Sequence, residues 1–261
     1  LEFYVSEGRR GAVDFPVRKG QMAPGKDNFQ TTVRNRIGCA GIGLHSGQQV
    51  RFTVYPAEAG SGITFRRMDL GGADGVTDKD VCVRARYGNI SNTQLGSTLS
   101  NTAGVSVATV EHLMSAFSGC GIDNARVDLH GPELPVLDGS AAPFVMLLEC
   151  AGVTRLDARR RYIRILETIT VSEEGKRASL SPHDGLLLNF EIDFPASIIG
   201  RQTCSFDLRQ GDYKTGIAPS RTFGFLHEVE HLKSLGLARG GSLQNAIVLD
   251  GENILNETGL R

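Results

Sequence analysis

Thr109-Val110-Glu111-His112-Leu113-Met114 opens the segment whose reading decides the fold. Val107, Val110, Leu113, Met114 and Phe117 recur at helical spacing and mark one apolar face. Gly119-Cys120-Gly121 then supplies a glycine stop, so the stretch predicts an amphipathic helix. Glu111 and His112 fall side by side at its entrance. A carboxylate beside an imidazole there suits a general base next to a metal ligand. On the pair alone, a carboxylate favoured by the helix N-terminus beside an ordinary surface histidine is the better reading; the rest of the chain overturns it.

Working outward, a strand is expected over 125–129, then the turn-rich Pro132-Glu133-Leu134-Pro135 and Asp138-Gly139-Ser140. A second helix follows over 141–150, with Ser140 as its candidate cap. Asp138 is expected to brace a turn through backbone N–H groups rather than to act in catalysis. Upstream, the chain reads as β-rich from Phe29, with a strand over 50–56 after the glycine-rich 41–47 and further strands over 63–67 and 81–85. The second half repeats the style. Strands are expected over 162–165, 168–171, 178–180, 186–194 and 203–206, then a helix through Leu235 closed by Gly236, and a strand within 245–249. The fold class is α+β: two domains of sheet plus helices, 28–155 and 156–261. The first has two helices and the second one, so the second domain reads as incomplete, lacking its last helix. Residues 1–27 form an unstructured or upstream extension, either read-through before Met22 or an authentic arm.

The 261 residues carry 28 basic and 29 acidic side chains and are 40% hydrophobic, enough for a real core. Balanced charge, and the lack of a basic run interleaved with aromatics, argue against a nucleic-acid partner. The one concentrated basic run, Arg155 to Arg164, reads as a solvated inter-domain connection. The five cysteines (Cys39, Cys82, Cys120, Cys150, Cys204) are scattered and never form CxxC, which favours reduced thiols in a cytoplasmic protein. No apolar stretch is long enough for stable membrane insertion.

His227-Glu228-Val229-Glu230-His231 matches the H-E-x-x-H of zinc proteases. On a helical wheel, however, Phe225, Val229 and Leu232 take one side and the two histidines nearly the opposite one, the expected solvent face. A solvated pair is the better reading.

Six separated segments fit one family. They are Gly41-Ile-Gly-Leu-His-Ser-Gly47, Thr109-Val-Glu-His-Leu-Met-Ser-Ala116, Gly121-Ile-Asp-Asn124, Pro132-Glu-Leu-Pro-Val-Leu-Asp-Gly-Ser-Ala141, Ser220-Arg-Thr-Phe-Gly-Phe225 and Gly240-Gly-Ser-Leu-Gln-Asn-Ala-Ile-Val248. In this order and spacing the chain, from about Phe29 onward, resembles the UDP-3-O-acyl-N-acetylglucosamine deacetylases. These are zinc amidases of lipid A biosynthesis. The resemblance implies two similar domains packed with their helices between the sheets and a site between them. It implies Glu111 as general base, His112 as a ligand of Zn2+, and Thr222 as an oxyanion-stabilising hydroxyl. Leu95, Phe223, Leu226, Gly241, Ser242, Ala246 and Val248 would line the substrate and its acyl chain. His45 lies in a family motif, with a turn-stabilising role expected. The family's R-H-K-x-x-x-D segment, which supplies the other two zinc ligands, has no match in this sequence. The implied partner is the UDP-3-O-acyl-N-acetylglucosamine substrate, met by a monomer. A non-catalytic sugar-nucleotide- or acyl-binding remnant of the same fold is the competing reading.

Overall fold

The computed structural model describes residues 28–71, 77–195, 198–257 and 259. The expected extension over 1–27 lies outside them. Alternation at period two builds the central sheet. In β3 (Gln49–Tyr55), Val50, Phe52 and Val54 point inward; in β9 (Ala125–His130) Ala125, Val127 and Leu129 do so, and in β4 (Ile63–Arg67) Ile63 and Phe65. With β2 (Ile37–Ile42) and β5 (Cys82–Arg84) they form five strands in the order β2-β3-β9-β4-β5. All neighbours are antiparallel except β4 and β9, which run parallel.

Arg67 also occupies an inward position, where a lone charge would be costly. Its guanidinium is satisfied by both carboxylate oxygens of Asp69, at 2.8 and 2.7 Å, and by the Ser106 carbonyl at 2.7 Å. The helix expected after Thr109 is α1 (Glu111–Gly119), and the next is α2 (Ala142–Ala151). Leu113, Ala116 and Phe117 of α1 and Phe144, Val145 and Leu148 of α2 share one core with the sheet, the Phe52 and Phe144 rings lying 5.8 Å apart. Ser140 Oγ accepts from the Ala142 N–H, so it caps α2 from one position further back than a formal N-cap. A small sheet of β6 (Ile90–Asn92), β7 (Thr98–Ser100) and β8 (Ser106–Val107) leads into α1.

β1 (Phe29–Val33) pairs antiparallel with β10 (Val153–Arg159), where the Arg155 guanidinium lies 3.5 Å over the Phe29 ring. The first part of the basic run is therefore strand rather than a solvated connection. Its arginines sit in the ladder because their stems and guanidinium faces cover an aromatic ring.

The second half is built from hairpins: β11 (Ile169–Glu173) with β12 (Lys176–Leu180), and β13 (Leu187–Asp193) with β14 (Arg201–Asp207). A three-stranded sheet follows, of β15 (Phe223–Phe225), β16 (Ile247–Asp250) and β17 (Asn253–Ile254). β15 and β16 are parallel, and α4 (Leu226–Ser234) lies in the crossover between them. Ile199, Ile247 and Leu249 form a small core with Phe194, Phe223 and Phe225 around it.

Two further expectations are corrected. Residues 162–165 pair with no strand, and Tyr162 and Ile163 are exposed; alternation of arginines with apolar residues imitated a half-buried strand that has no partner. The second half also holds a short helix before α4, α3 (Tyr213–Gly216), too brief to show a period. Its Tyr213 inserts into the first half's core, and Gly119 at the end of α1 is where the ring lies, with no room for a Cβ. Among the described residues, no helix is long and apolar enough to cross a membrane.

Candidate active site

The entrance of α1 is set by an unusual backbone. Thr109 adopts φ 56°, a left-handed conformation costly for a β-branched residue, and Val110 donates its N–H to the Ser97 carbonyl at 3.2 Å. What holds Thr109 there is Glu133, a carboxylate only 2% exposed. Glu133 accepts from the Thr109 hydroxyl at 2.8 Å and from the His45 and Ser46 backbone N–H groups, each at 2.9 Å. Three donors compensate the burial of one charge and tie the 43–47 loop to the start of α1.

Glu111 is the first residue of α1, and its Oε2 accepts from the Ser97 N–H at 2.9 Å. His112 follows, with a buried Nδ1 that has no hydrogen-bond partner among the described residues. A buried imidazole nitrogen with nothing to bind is costly. Gly96 shows how closely the group converges: a Cβ on it would lie 3.3 Å from Glu111 Oε1, 3.7 Å from His45 Nε2 and 3.9 Å from Thr109 Oγ1.

His45 joins this cluster to the second half. Its Nε2 lies 3.1 Å from the Leu95 carbonyl, and the Ala238 N–H donates to its Nδ1 at 3.4 Å. Since the Ala238 N–H can only donate, Nδ1 is the lone-pair nitrogen and Nε2–H is the donor to Leu95. Leu95 and Ala238 both have positive φ, 55° and 51°, so the ring secures two unfavourable backbone turns. The expected turn-stabilising role is what the ring performs. Asp138 likewise braces its turn, its Oδ1 accepting from the Ser140 N–H and hydroxyl.

Thr222 sits across the junction between the halves. Its N–H donates to the Gly139 carbonyl at 2.8 Å, its carbonyl accepts from Ile247, and its hydroxyl makes no hydrogen bond among the described residues. Gly139 has φ 85° and lies so close to the Asn245 carbonyl that a side chain could not fit, which fixes the 242–247 loop against it. Gly241 follows Gly240, whose N–H donates to the Leu44 carbonyl, so this loop reaches the His45 neighbourhood. Ser242 closes the turn by accepting from Asn245 and Ala246, and Val248 donates to Asn256 Oδ1. Phe223 packs edge-on to Phe194, ring centroids 5.2 Å apart. Leu95 and Leu226 are exposed, and Ala246 and Val248 half-buried.

The structure thus brings Glu111 and Leu95 together around Gly96 and His45, with His112 next to Glu111 in α1, and groups Thr222, Phe223, Ala246 and Val248 at or beside β15 and β16. No hydrogen bond among the described residues joins Thr222 to Glu111 or His112. Glu133 escaped sequence reasoning. Its signal was a carboxylate inside the otherwise apolar and proline-rich 132–136, a position where charge needs a reason. His227 and His231 are exposed on α4, as the wheel implied. Among the described residues, no group of three or more His, Cys, Asp and Glu side chains could hold a metal ion.

Fold and site together define a mixed α+β protein with a carboxylate and an imidazole, Glu111 and His112, in succession at the entrance of α1. The comparisons with known proteins are specific. The profile of LpxC, UDP-3-O-acyl N-acetylglycosamine deacetylase, matches residues 30–261, and the chain belongs to this family. It is 46% identical over 236 residues to the UDP-3-O-acyl-N-acetylglucosamine deacetylase of Phenylobacterium zucineum (strain HLK1), covering 89% of this chain and 78% of that protein. It is 44% identical to the proteins of the same name from Chromobacterium violaceum, over 235 residues, and Pseudomonas entomophila (strain L48), over 234. Each match covers 89% of this chain and 75% of the relative.

Proposed function

We propose that this chain carries the catalytic base and one metal ligand of a zinc-dependent deacetylase. The reaction is hydrolysis of the acetamide of UDP-3-O-acyl-N-acetylglucosamine to a free amine and acetate, the committed step of lipid A biosynthesis, in the cytoplasm and by a monomer. The observation that carries the reading is the Glu111–His112 pair: an oriented carboxylate beside a buried, unpartnered imidazole nitrogen. That unsatisfied nitrogen fits a metal ligand, and a histidine nitrogen is a common donor to zinc. Among the described residues, no group of three or more His, Cys, Asp and Glu side chains gathers around that nitrogen.

When bound, zinc lowers the pKa of water and polarises a carbonyl. Glu111 takes the proton of the attacking water; the Ser97 N–H holds one oxygen and leaves Oε1 directed toward Gly96. The free hydroxyl of Thr222 donates to the oxyanion as the amide carbon becomes tetrahedral. Leu95, Phe223, Leu226, Gly241, Ser242, Ala246 and Val248 line the substrate and its acyl chain.

The test pairs zinc content with amine release from UDP-3-O-acyl-N-acetylglucosamine. Glu111→Gln keeps its zinc and loses about 10²–10⁴-fold in kcat, whereas His112→Ala loses zinc. Full turnover in Glu111→Gln, or unchanged zinc in His112→Ala, overturns the reading. The lack of a three-ligand group among the described residues favours a second reading, a sugar-nucleotide- or acyl-binding remnant. It predicts saturable substrate binding with no amine released and no zinc held.

A further inference from the structure

A polar cavity of about 220 Å³ lies at the end of the central sheet away from Glu133. Its wall includes Asn124, Ile63 and Ala85, next to the first residues of β9 and β4 and the last of β5, while Glu133 follows the far end of β9. Six residues of strand separate the two ends, about 20 Å at ~3.3 Å per residue.

Four arginines line it: Arg84, Arg86, Arg160 and Arg161. Arg84 ends β5, and the chain turns directly after it, the Arg86 N–H donating to the Arg84 carbonyl at 2.9 Å, so both arginines border the same cavity. The facing acid is Asp123, and it is already engaged: it accepts from Arg160 Nε at 2.9 Å and from the Thr31 N–H at 2.7 Å. Arg160 also donates to the Gly121 carbonyl at 2.6 Å. Arg84, Arg86 and Arg161 have no ion pair among the described residues.

The floor offers no competing acceptor. Asn124, 1% exposed, has Oδ1 bonded to the Gly62 N–H and Nδ2 to Gln30 and the Thr31 carbonyl, and Gln30 Oε1 accepts from the Gly60 N–H. A hydrogen-bonded floor bordered by three arginines with no ion pair among the described residues suits phosphate oxygens, which guanidinium forks bind two at a time. The space admits a phosphate or diphosphate.

We propose that this cavity binds a phosphate-bearing anion, a phosphomonoester or diphosphate, through Arg84, Arg86 and Arg161, separately from the Glu111 site. The same chemistry is presented by a soluble diphosphate or by an anionic lipid headgroup. The proposal does not depend on the deacetylase reading. The experiment follows the arginine Nε–Hε resonances of the full chain on titration with inorganic pyrophosphate. In parallel, sedimentation is measured with vesicles containing phosphatidic acid, whose headgroup is a phosphomonoester, and with phosphatidylcholine vesicles.

The expected result is saturable shifts of the Arg84, Arg86 and Arg161 resonances. Affinity should fall at least tenfold in Arg84→Gln/Arg86→Gln and remain unchanged in Glu111→Gln. Arg161→Gln, a single change at an exposed position, should weaken binding too and keeps the proposal testable if the double variant does not fold. Sedimentation with phosphatidic acid vesicles and not with phosphatidylcholine, lost in the variants, assigns a headgroup; pyrophosphate binding without sedimentation assigns a soluble ligand. Shifts that do not saturate, or an affinity untouched by these substitutions, overturn the proposal.

Discussion

The two halves of the chain differ in how they hold themselves together. The first has a five-stranded sheet, two helices and one continuous core from Val33 to Ala151. The second has hairpins, a three-stranded sheet and a core of three buried residues ringed by phenylalanines. The carboxylate–imidazole pair stands on the thick core, at the entrance of a helix whose Leu113, Ala116 and Phe117 are all buried. The second half delivers loops, 238–242 onto His45 and Leu44 and 242–247 onto Gly139. Under the proposed function, the base and the metal ligand sit on the well-packed half, while most of the substrate lining comes from the half with fewer packing constraints.

The comparison breaks most visibly under core truncation. Phe117→Ala should cost about 3–5 kcal/mol and unfold both halves together, because Tyr213 and Ala218 of the second half share that core. Ile247→Ala should loosen β15 and β16 while leaving the first half's amides protected. Hydrogen exchange read segment by segment distinguishes the two, and equal loss of protection in both variants would mean that the halves are one cooperative unit.

Much of this was legible beforehand. α1, α2 and α4 were visible because nine or ten residues suffice to show a 3.6 period, and the sheet strands because one face is buried and the other is not. α3 was not, because four residues hold barely one turn. The Tyr162–Ile165 strand failed because alternation reports a half-buried face only where a neighbouring strand exists. Glu111 and His112 could be singled out from their place at the helix start. Glu133 could not be joined to Thr109 and His45, since that link spans 24 and 88 residues and exists only after the chain has folded.

Glu133 gives the next largest effect and sharpens the contrast, since it acts where the thick core meets the site. Glutamine has one acceptor oxygen, and its amide NH₂ would face the His45 or Ser46 N–H, donor against donor. Glu133→Gln should cost about 1.5–3 kcal/mol and lower kcat for amine release more than it raises KM, through Thr109 and the Glu111 that follows it. Urea melts alongside the kinetics test this; unchanged kcat with lowered stability would make Glu133 purely structural.

The smallest effect probes the seam itself. Tyr213 reaches α1 with its hydroxyl 2.6 Å from Ser115 Oγ, and the neighbouring Lys214 pairs with Glu149 of α2. Burial pushes the Tyr213 phenol above its ordinary value of 10, and the Ser115 hydrogen bond pulls it partly back. Because the folded state disfavours the phenolate, the docked ring contributes stability fully present below pH 10 and lost as pH rises through the elevated folded value. Ser115→Ala should cost about 1 kcal/mol and move the phenol higher still, since the hydroxyl that favoured the phenolate is gone. Ultraviolet titration of each protein, with Tyr213→Phe subtracted to isolate this ring, reads the shift. A Tyr213 titrating at its ordinary value would mean that α3 is solvent-accessible and that the second half is held to the first by its loops alone.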